Sequence, residues 1–396
     1  MLGVGLVGSV AGSMVWTFVG LWAIRKLGAD QATVGLAYLV SALIGVGAGY
    51  LSGHVSDYVG RKPLILTSWM LQPLLMVGFL SAGSNERLGL GLMCLGGLFF
   101  QIGSAADTAL VADVVPRERH EAAYASVRVA NNLGVTIGPA LGGLLIALAS
   151  WRGLFAGGAC VALLTLILAA RFLPSTGEYA AKEPPTRGSF RVIVRDRPFL
   201  LFLLSAALAW FVYVAFEVIV PISLVQSHGY APSTWGFLLV VNPVLVTLFQ
   251  LRVTRWTQAI SSSAKLAIGL PLMGVPFLLF PALRPVPVLV LVLVLVLFVI
   301  GEMLWVPSSQ SLVAGLAPAD IRGAYMGAFG SMAAFGFALA PFVGLRVRAT
   351  FGDGAVWVLF ASISVAAGLL GAVACRIASD RRGAHGAAAA ASRLGT

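Results

Sequence analysis

The sequence has little charge for its length. Only 10% of its 396 residues are Asp, Glu, Lys or Arg, whereas 59% are hydrophobic and the mean hydropathy is +0.94. A soluble domain usually carries about 25% charged residues, so these few cannot build a water-facing surface. The composition excludes a soluble enzyme and predicts an integral membrane protein surrounded by a lipid bilayer. The net charge of +11 is therefore not taken as a sign of nucleic-acid binding.

Cysteines and cofactor motifs are also scarce. Cys94, Cys160 and Cys375 lie in apolar runs without CxxC spacing, which is typical of small buried side chains. The sequence has no GxxxxGK[ST] phosphate loop, HExxH motif or paired Cys/His cluster. We therefore expect no ATP-driven step, no bound metal, no cofactor and no enzymatic activity. The N-terminus has no basic segment ahead of its apolar stretch, so no cleavable signal peptide is predicted.

Long polar stretches are missing, with one exception, and the remaining chain is a succession of apolar runs. A helix needs about 20 apolar residues to cross the hydrocarbon core of a bilayer. Polar clusters separate twelve such runs, which are too long and too continuously apolar for the strands of a membrane barrel. The predicted spans are residues 3–24, 31–52, 63–82, 88–112, 122–149, 153–172, 198–225, 235–254, 264–283, 286–314, 322–345 and 354–376.

The one long polar stretch divides these spans into two sets of six, and the predicted fold is all-α. We predict an N-terminal six-helix bundle at residues 1–173, a cytoplasmic linker at 174–197 and a C-terminal six-helix bundle at 198–376. The low-complexity tail at 377–396 is expected to be disordered.

Basic residues are unevenly divided between the two sides of this arrangement. With both termini in the cytoplasm, 19 of the 26 Lys and Arg residues lie on the inner side and the other 7 on the outer side. Cytoplasmic loops carry the excess of Lys and Arg in membrane proteins. The sequence therefore predicts a multi-pass protein of the cell membrane, plasma or bacterial inner, with both termini cytoplasmic.

The two halves share an internal repeat. Four Gly and Pro residues of the first half recur at one constant offset of 202 positions. The matched pairs are Pro116 and Pro318, Gly134 and Gly336, Pro139 and Pro341, and Gly142 and Gly344. Parallel repeats related by an axis along the membrane normal occur in secondary transporters. The repeat therefore predicts two pseudo-symmetric bundles and favours alternating access over a channel.

A short polar motif follows the second predicted span. Residues 53–62 read GHVSDYVGRK, a tight turn with one carboxylate beside two cations. With the twelve spans, this motif resembles the GxxxDxxGRK signature of the major facilitator superfamily, although Tyr58 stands where that signature often has Arg. The resemblance implies a gate at the cytoplasmic face. Its residues are Gly53, Asp57, Gly60, Arg61, Lys62 and Asp113.

A glycine-rich string lies in the fifth predicted span. Glycines at this spacing let helix backbones approach closely, and proline can bend a helix, so ordinary packing is one interpretation. The string GVTIGPALGG also resembles the GxxxGPxxGG motif of drug/proton antiporters in the same superfamily. Its motif residues are Gly134, Gly138, Pro139, Gly142 and Gly143. The span-four Arg common in those antiporters is absent, since Leu98 stands at its expected place.

Three acidic residues fall inside predicted spans: Asp107 in the fourth, Glu217 in the seventh and Glu302 in the tenth. A lipid-exposed carboxylate costs about 2.5–3.5 kcal/mol or more, so each should face a cavity or a partner. In the major facilitator fold, helices 1, 4, 7 and 10 line the central cavity, and the resemblance thus places all three acids there. We predict that they couple transport to protons. Asp107 has an alternative role, as the buried ion-pair partner of Arg128.

Aromatic and polar side chains accompany these acids. The predicted substrate-cavity residues are Trp16, Gln101, Arg128, Trp210, Tyr213, Phe216 and Trp305. The favoured function is a monomeric secondary active transporter that exports drug-like or amphipathic small molecules in exchange for protons. The alternative is a proton-coupled importer, or a lipid or metabolite transporter, on the same fold. A channel or a receptor is disfavoured by the repeat.

Overall fold

The computed structural model describes residues 1–174, 189–230, 238, 240–283 and 285–394, and every regular element in these ranges is helical. The helices are α1 (Leu2–Trp22), α2 (Gln31–Val59), α3 (Arg61–Ala82), α4 (Glu86–Val114), α5 (His120–Phe172), α6 (Ser189–Arg195), α7 (Arg197–Gln226), α8 (Val241–Trp256), α9 (Ser262–Gly274), α10 (Leu279–Ala282), α11 (Val288–Leu316), α12 (Arg322–Phe351) and α13 (Asp353–Leu394). A π-helical turn, Ala23–Leu27, extends α1, and 3₁₀ turns precede α5, α10 and α12.

Nine helical segments in the described ranges are long and apolar enough to cross a membrane. They establish a multi-pass membrane protein, and the predicted count of twelve spans stays a prediction. Many large apolar side chains point away from the protein, among them Leu148, Leu289 and Phe342, which are 76%, 80% and 73% exposed. Such a surface suits contact with lipid, because apolar patches of this extent are rare on soluble monomers.

The predicted linker and the C-terminal tail contain helix where the structure describes them. Most of the predicted linker at 174–197 lies outside the described residues, although α6 occupies Ser189–Arg195 within it. The tail was expected to be disordered, but α13 continues as a helix to Leu394. Alanine has the highest intrinsic helix propensity of all residue types, and the run of alanines in the tail therefore favours helix over the expected disorder. Residues 395 and 396 lie outside the described ranges.

Each half of the chain has its own aromatic core. In the first half, the Trp22 ring meets Phe79 and Phe155 edge-on, with centroids 5.3 and 5.1 Å apart. In the second half, Trp357 contacts Phe277 and Phe280 at 5.3 and 5.0 Å. Such aromatic pairs contribute about 0.5–1.5 kcal/mol beyond the burial of their area. The two halves thus have separate apolar interiors, and several of the contacts between the halves are polar.

The turn between α2 and α3 depends on one glycine. Gly60 has φ 87° and ψ 163°, and it ends α2 and begins α3. This backbone region is nearly restricted to glycine and costs other residues about 1–3 kcal/mol. The turn places Arg61 directly after α2, which brings its guanidinium back over the end of that helix.

We expect Gly60→Ala to lower the free energy of unfolding by about 1–3 kcal/mol, because alanine is strained at this φ and ψ. Thermal unfolding of the detergent-purified protein measures the change. Gly47→Ala is the matched control in the same helix, since no atom lies within 4 Å of the added Cβ. Equal melting temperatures for the two variants would contradict the prediction.

Candidate functional site

Two polar clusters lie where the halves of the chain meet. The gate cluster consists of Asp57, Arg61, Asp113 and Arg322. The central cluster consists of Arg128, Asn242 and Glu302, with Tyr213 and Glu217 beside them. Both clusters contain residues from each half, so both contribute to how the halves are held together.

The gate cluster is a chain of alternating charges. Arg61 pairs through Nη1 with Asp57, donates to Ser56 Oγ at 2.6 Å, and pairs through Nε with Asp113 Oδ2 at 3.0 Å. Asp113 also pairs through Oδ1 with Arg322 of the second half. All four charged side chains are at most 10% exposed. The structure thus brings together Asp57, Arg61 and Asp113, and adds Arg322, which the motif did not indicate.

Asp57 also caps a helix of the opposite half. Its Oδ1 accepts from the Gly323 backbone N–H at 2.8 Å and its Oδ2 accepts from the Ala324 N–H at 3.0 Å. These N–H groups belong to the first turn of α12, where helices have unsatisfied donors and a partial positive charge. One carboxylate therefore binds the α12 terminus and the Arg61 guanidinium at once.

Glycines allow this contact by letting α2 and α12 touch backbone to backbone. A Cβ added to Gly53 would collide with the Gly323 carbonyl oxygen, and one added to Gly327 would collide with that of Gly49.

Lys62, the last residue of the gate motif, contacts the first half of the chain. Its Nζ donates to the Leu173 carbonyl at 2.7 Å. Lys62 therefore ties the start of α3 to the end of α5.

The glycine-rich string packs α5 against α1. A Cβ at Gly134, Gly138 or Gly142 would fall within 3 Å of α1 backbone atoms. Gly143 instead faces the Phe18 ring at 3.8 Å, and Pro139 lies inside the helix. In the second half, the repeat-related Gly336 lies against the backbone of Trp210 on α7. The glycines thus play the packing role, and a role in antiport stays a prediction.

The centre of the site is an ion pair across the two halves. Arg128 Nη2 on α5 donates to Glu302 Oε1 on α11, and Asn242 Nδ2 on α8 donates to Glu302 Oε2 at 2.6 Å. The Glu302 and Arg128 side chains are 4% and 10% exposed. Arg128 therefore pairs with Glu302, and the alternative of an Asp107–Arg128 pair is wrong. Asn242 was not found from the sequence.

Glu217 and Asp107 differ from Glu302 in having no such partner. Glu217 is half-buried on α7 and interacts electrostatically with Glu302. Asp107 is half-buried on α4 and interacts electrostatically with the N-terminal amino group. Neither carboxyl makes an ion pair or hydrogen bond within the described part of the chain. The structure brings Glu217 and Glu302 together and leaves Asp107 apart.

The predicted substrate-cavity residues separate into two groups. Trp210 contacts both Trp305 and Tyr213 with ring centroids 5.3 Å apart, and Tyr213 interacts with Arg128, Glu217 and Glu302. These residues surround the central cluster. The other three predicted residues have different ring or cavity contacts, and their place in the substrate cavity stays a prediction.

Trp16, Phe216 and Gln101 lie in other surroundings. Trp16 packs on Phe79 within the first half, and Phe216 stacks on Phe298 at 4.1 Å within the second. Gln101 lines a separate cavity of about 620 Å³ between α2, α4 and α12. In a span that is apolar all round, the sequence does not show which helix face points inward. It therefore could not separate the residues beside the central cluster from these three.

A third ion pair joins the halves, after Asp113–Arg322 and Arg128–Glu302. Lys265 Nζ on α9 pairs with Glu121 Oε1 on α5, and Ser308 Oγ donates to the same oxygen at 3.4 Å. Glu121 precedes Arg128 by seven residues, or two turns of one helix face. One face of α5 therefore carries two ion pairs to the second half, Glu121–Lys265 and Arg128–Glu302. The sequence offered no signal for the Lys265–Glu121 pair beyond the charges themselves.

A family profile and individual relatives both match this chain over most of its length. The profile of the Major Facilitator Superfamily matches residues 1–341. A Na(+), Li(+), K(+)/H(+) antiporter of Planococcus maritimus is 23% identical over 390 residues, covering 90% of each chain. The multidrug resistance protein MdtH of Shigella boydii is 26% identical over 317 residues, covering 79% of this chain and 77% of MdtH.

A solved structure supports the same fold. A bacterial homologue of the iron transporter ferroportin, in an outward-facing state, is similar with a TM-score of 0.75 at 18% identity. The match covers 96% of this chain and 98% of the homologue. At this identity the likeness concerns the fold alone.

Proposed function

The chain belongs to the major facilitator superfamily, and on that premise we propose that it is a proton-coupled antiporter exporting drug-like or amphipathic small molecules. Its relatives are secondary transporters, and so is this protein. The functions of these relatives, monovalent cation/proton antiport and multidrug resistance, support proton antiport and drug export by this protein.

The observation that carries the proposal is the Arg128–Glu302 ion pair between the two halves. Protonation of Glu302 removes the negative charge that Arg128 binds, and so weakens one tie between α5 and α11. Loss of the proton restores that tie. Proton binding and release at Glu302 would thereby change the contact between halves that must move in alternating access.

Glu217 is the second carboxyl group in the proposed proton pathway. It lies close enough to Glu302 for their charges to interact, and it lacks an ion-pair partner among the described residues. An uncompensated charge in a low-dielectric interior is costly, and protonation removes it. A proton held by Glu217 would therefore be positioned to pass to Glu302. Asp107 is proposed as a further proton site, because it too faces no cation of a side chain in the described ranges.

The proposed topology has twelve spans in two pseudo-symmetric bundles. Helix α5 has 53 residues, about 80 Å, and its backbone breaks at Ala149 and at Ser150, where φ is 59°. Two crossings fit this length better than one. Together with α8 and α12, which lie outside the nine apolar segments, the division gives twelve. The matching glycine contacts of α5 on α1 and α12 on α7 support the pseudo-symmetry.

The proposed orientation places the gate cluster and both termini in the cytoplasm. The support is the excess of Lys and Arg on that side of the predicted topology. In this orientation, the contacts of Asp57 with Gly323 and Ala324 close the cytoplasmic side. The protein is proposed to act as a monomer in the cell membrane.

Proton-coupled efflux from proteoliposomes tests the function. We expect an imposed pH gradient to drive ethidium or rhodamine 123 against the direction of proton flow. In Glu217→Gln/Glu302→Gln, the gradient-dependent rate should fall at least tenfold, because neither side chain can carry a proton. Glu118→Gln is the matched control, since Glu118 is exposed and lies outside both clusters.

Two results would contradict the proposal. Full coupling in the double variant would remove both carboxyl groups from the proton pathway. Substrate movement in the same direction as protons would favour the importer instead.

A further inference from the structure

Three buried N–H groups around the central ion pair have no acceptor within the described part of the chain. They are Arg128 Nε, Trp210 Nε1 and Trp305 Nε1. Trp305 is only 1% exposed, and the Arg128 side chain is 10% exposed. Each buried donor left unsatisfied costs about 1–3 kcal/mol. Three such donors in one region call for an acceptor that the described part of the chain does not supply.

The three donors are grouped by the packing of three helices. Trp305 follows Glu302 by three residues on α11, so the two share one face of that helix. The Trp210 ring of α7 meets the Trp305 ring edge-on at 5.3 Å. Arg128 of α5 reaches Glu302 from the opposite half. An acceptor group placed beside the ion pair would therefore have one donor from each of these helices around it.

The charges of the site restrict what can carry that acceptor. Arg128 supplies one positive charge, whereas Glu217 and Glu302 supply two carboxyl groups. A purely cationic molecule would leave the three N–H donors without acceptors. A purely anionic molecule would face both carboxyl groups with Arg128 alone to offset three negative charges.

Building on the function proposed above, we infer that the substrates are aromatic amphoteric compounds, which carry an anionic oxygen group and a cationic nitrogen. The anionic group accepts from Arg128 and from the indole N–H groups of Trp210 and Trp305. The cationic group faces Glu217 and Glu302. The substrate thus exchanges partners with the ion pair, and its aromatic body lies against the indole rings.

A matched pair of dyes tests the inference. Rhodamine 110 is an aromatic zwitterion with a free carboxylate, and rhodamine 123 is its methyl ester and a cation. Fluorescence polarisation with the purified full-length protein measures the Kd of each. We expect the Kd of rhodamine 110 to be at least tenfold lower than that of rhodamine 123.

Three variants assign that preference to the donors. Trp305→Phe and Trp210→Phe keep an aromatic ring and remove one N–H, so each should lower the preference about threefold or more. Arg128→Lys keeps the cation opposite Glu302 and removes Nε, with the same expected direction. Trp256→Phe is the control, because Trp256 is 72% exposed at the end of α8 and should leave both Kd values unchanged.

Equal affinity for the two dyes, tighter binding of the ester, or binding of neither would overturn the inference. So would a preference that survives all three variants. The proton-driven efflux assay separates this outcome from the proposed function. Coupled efflux without a preference for the acid rejects the amphoteric substrate alone. A donor-dependent preference without coupled efflux rejects proton antiport and leaves the binding site in place.

Discussion

Arg128→Gln is expected to destabilise the protein by about 3–5 kcal/mol and to abolish proton-coupled transport. The change leaves Glu302 buried with the neutral Asn242 and Tyr213 as hydrogen-bond partners and without the cation that paired with it. Removing one partner of a buried ion pair is costly because the other charge stays in a low-dielectric interior without compensation. Transport should fail as well, because proton binding at Glu302 no longer alters a tie between the halves.

A second variant separates the charge from the side chain itself. Arg128→Gln/Glu302→Gln removes both charges and keeps two amides of similar size in place. We expect this double variant to recover most of the stability lost in the single variant, since replacing both members of a buried pair is often nearly neutral. It should stay inactive in proton coupling.

The measurement is thermal unfolding in detergent for the four proteins of the double-mutant cycle, with the efflux rate beside it. A coupling energy near zero between residues 128 and 302 would show that the pair does not hold the halves together. Wild-type stability of Arg128→Gln would lead to the same conclusion.

Asp57→Asn is expected to open the end of the molecule at the gate cluster and to lower turnover at least tenfold. Asparagine offers one acceptor oxygen and one NH₂ group to the two N–H donors of Gly323 and Ala324, so one donor faces another. The substitution also removes the charge that binds Arg61. Each lost hydrogen bond to a charged group costs about 1.5–3 kcal/mol, which corresponds to a shift of about ten- to a hundredfold between closed and open forms.

Distances between spin labels at Val59 and Trp256 measure this shift. Both positions are exposed, at 52% and 72%, and they end α2 and α8 in opposite halves. With the native cysteines replaced, the wild type should show a short distance and Asp57→Asn a larger share of long ones. Glu118→Gln should behave as the wild type. An unchanged distance distribution in Asp57→Asn would show that the carboxylate does not control this end.

The sequence predicted the family, the helical fold and the local neighbours of the gate motif. Asp57 and Arg61 lie four residues apart on either side of a glycine turn, so their contact follows from local geometry. Asp113 joins them because it ends the span that packs beside them. Their functional role stays a prediction.

The central cluster was harder to predict, because its contacts join distant parts of the chain. Arg128 and Glu302 are 174 positions apart, and a search for partners within one half does not bring them together. Asn242 carries no charge and belongs to no motif. Trp16 and Phe216 pack on Phe79 and Phe298 of their own halves, and their predicted place in the cavity stays a prediction, because spacing along a helix does not determine its rotation.

The Arg128–Glu302 ion pair has no counterpart at the positions related by the constant offset of the predicted repeat. The positions related by 202 residues to Arg128 and Glu302 hold Gly330 and Phe100. No atom lies within 4 Å of a Cβ built on Gly330, and Phe100 borders the cavity of about 620 Å³. Where one member of each related pair belongs to the central ion pair, the other is a glycine beside open space or a phenylalanine beside a cavity. The predicted repeat therefore does not extend to the ion-pair chemistry, and only one of the two related positions can carry a charge at each place.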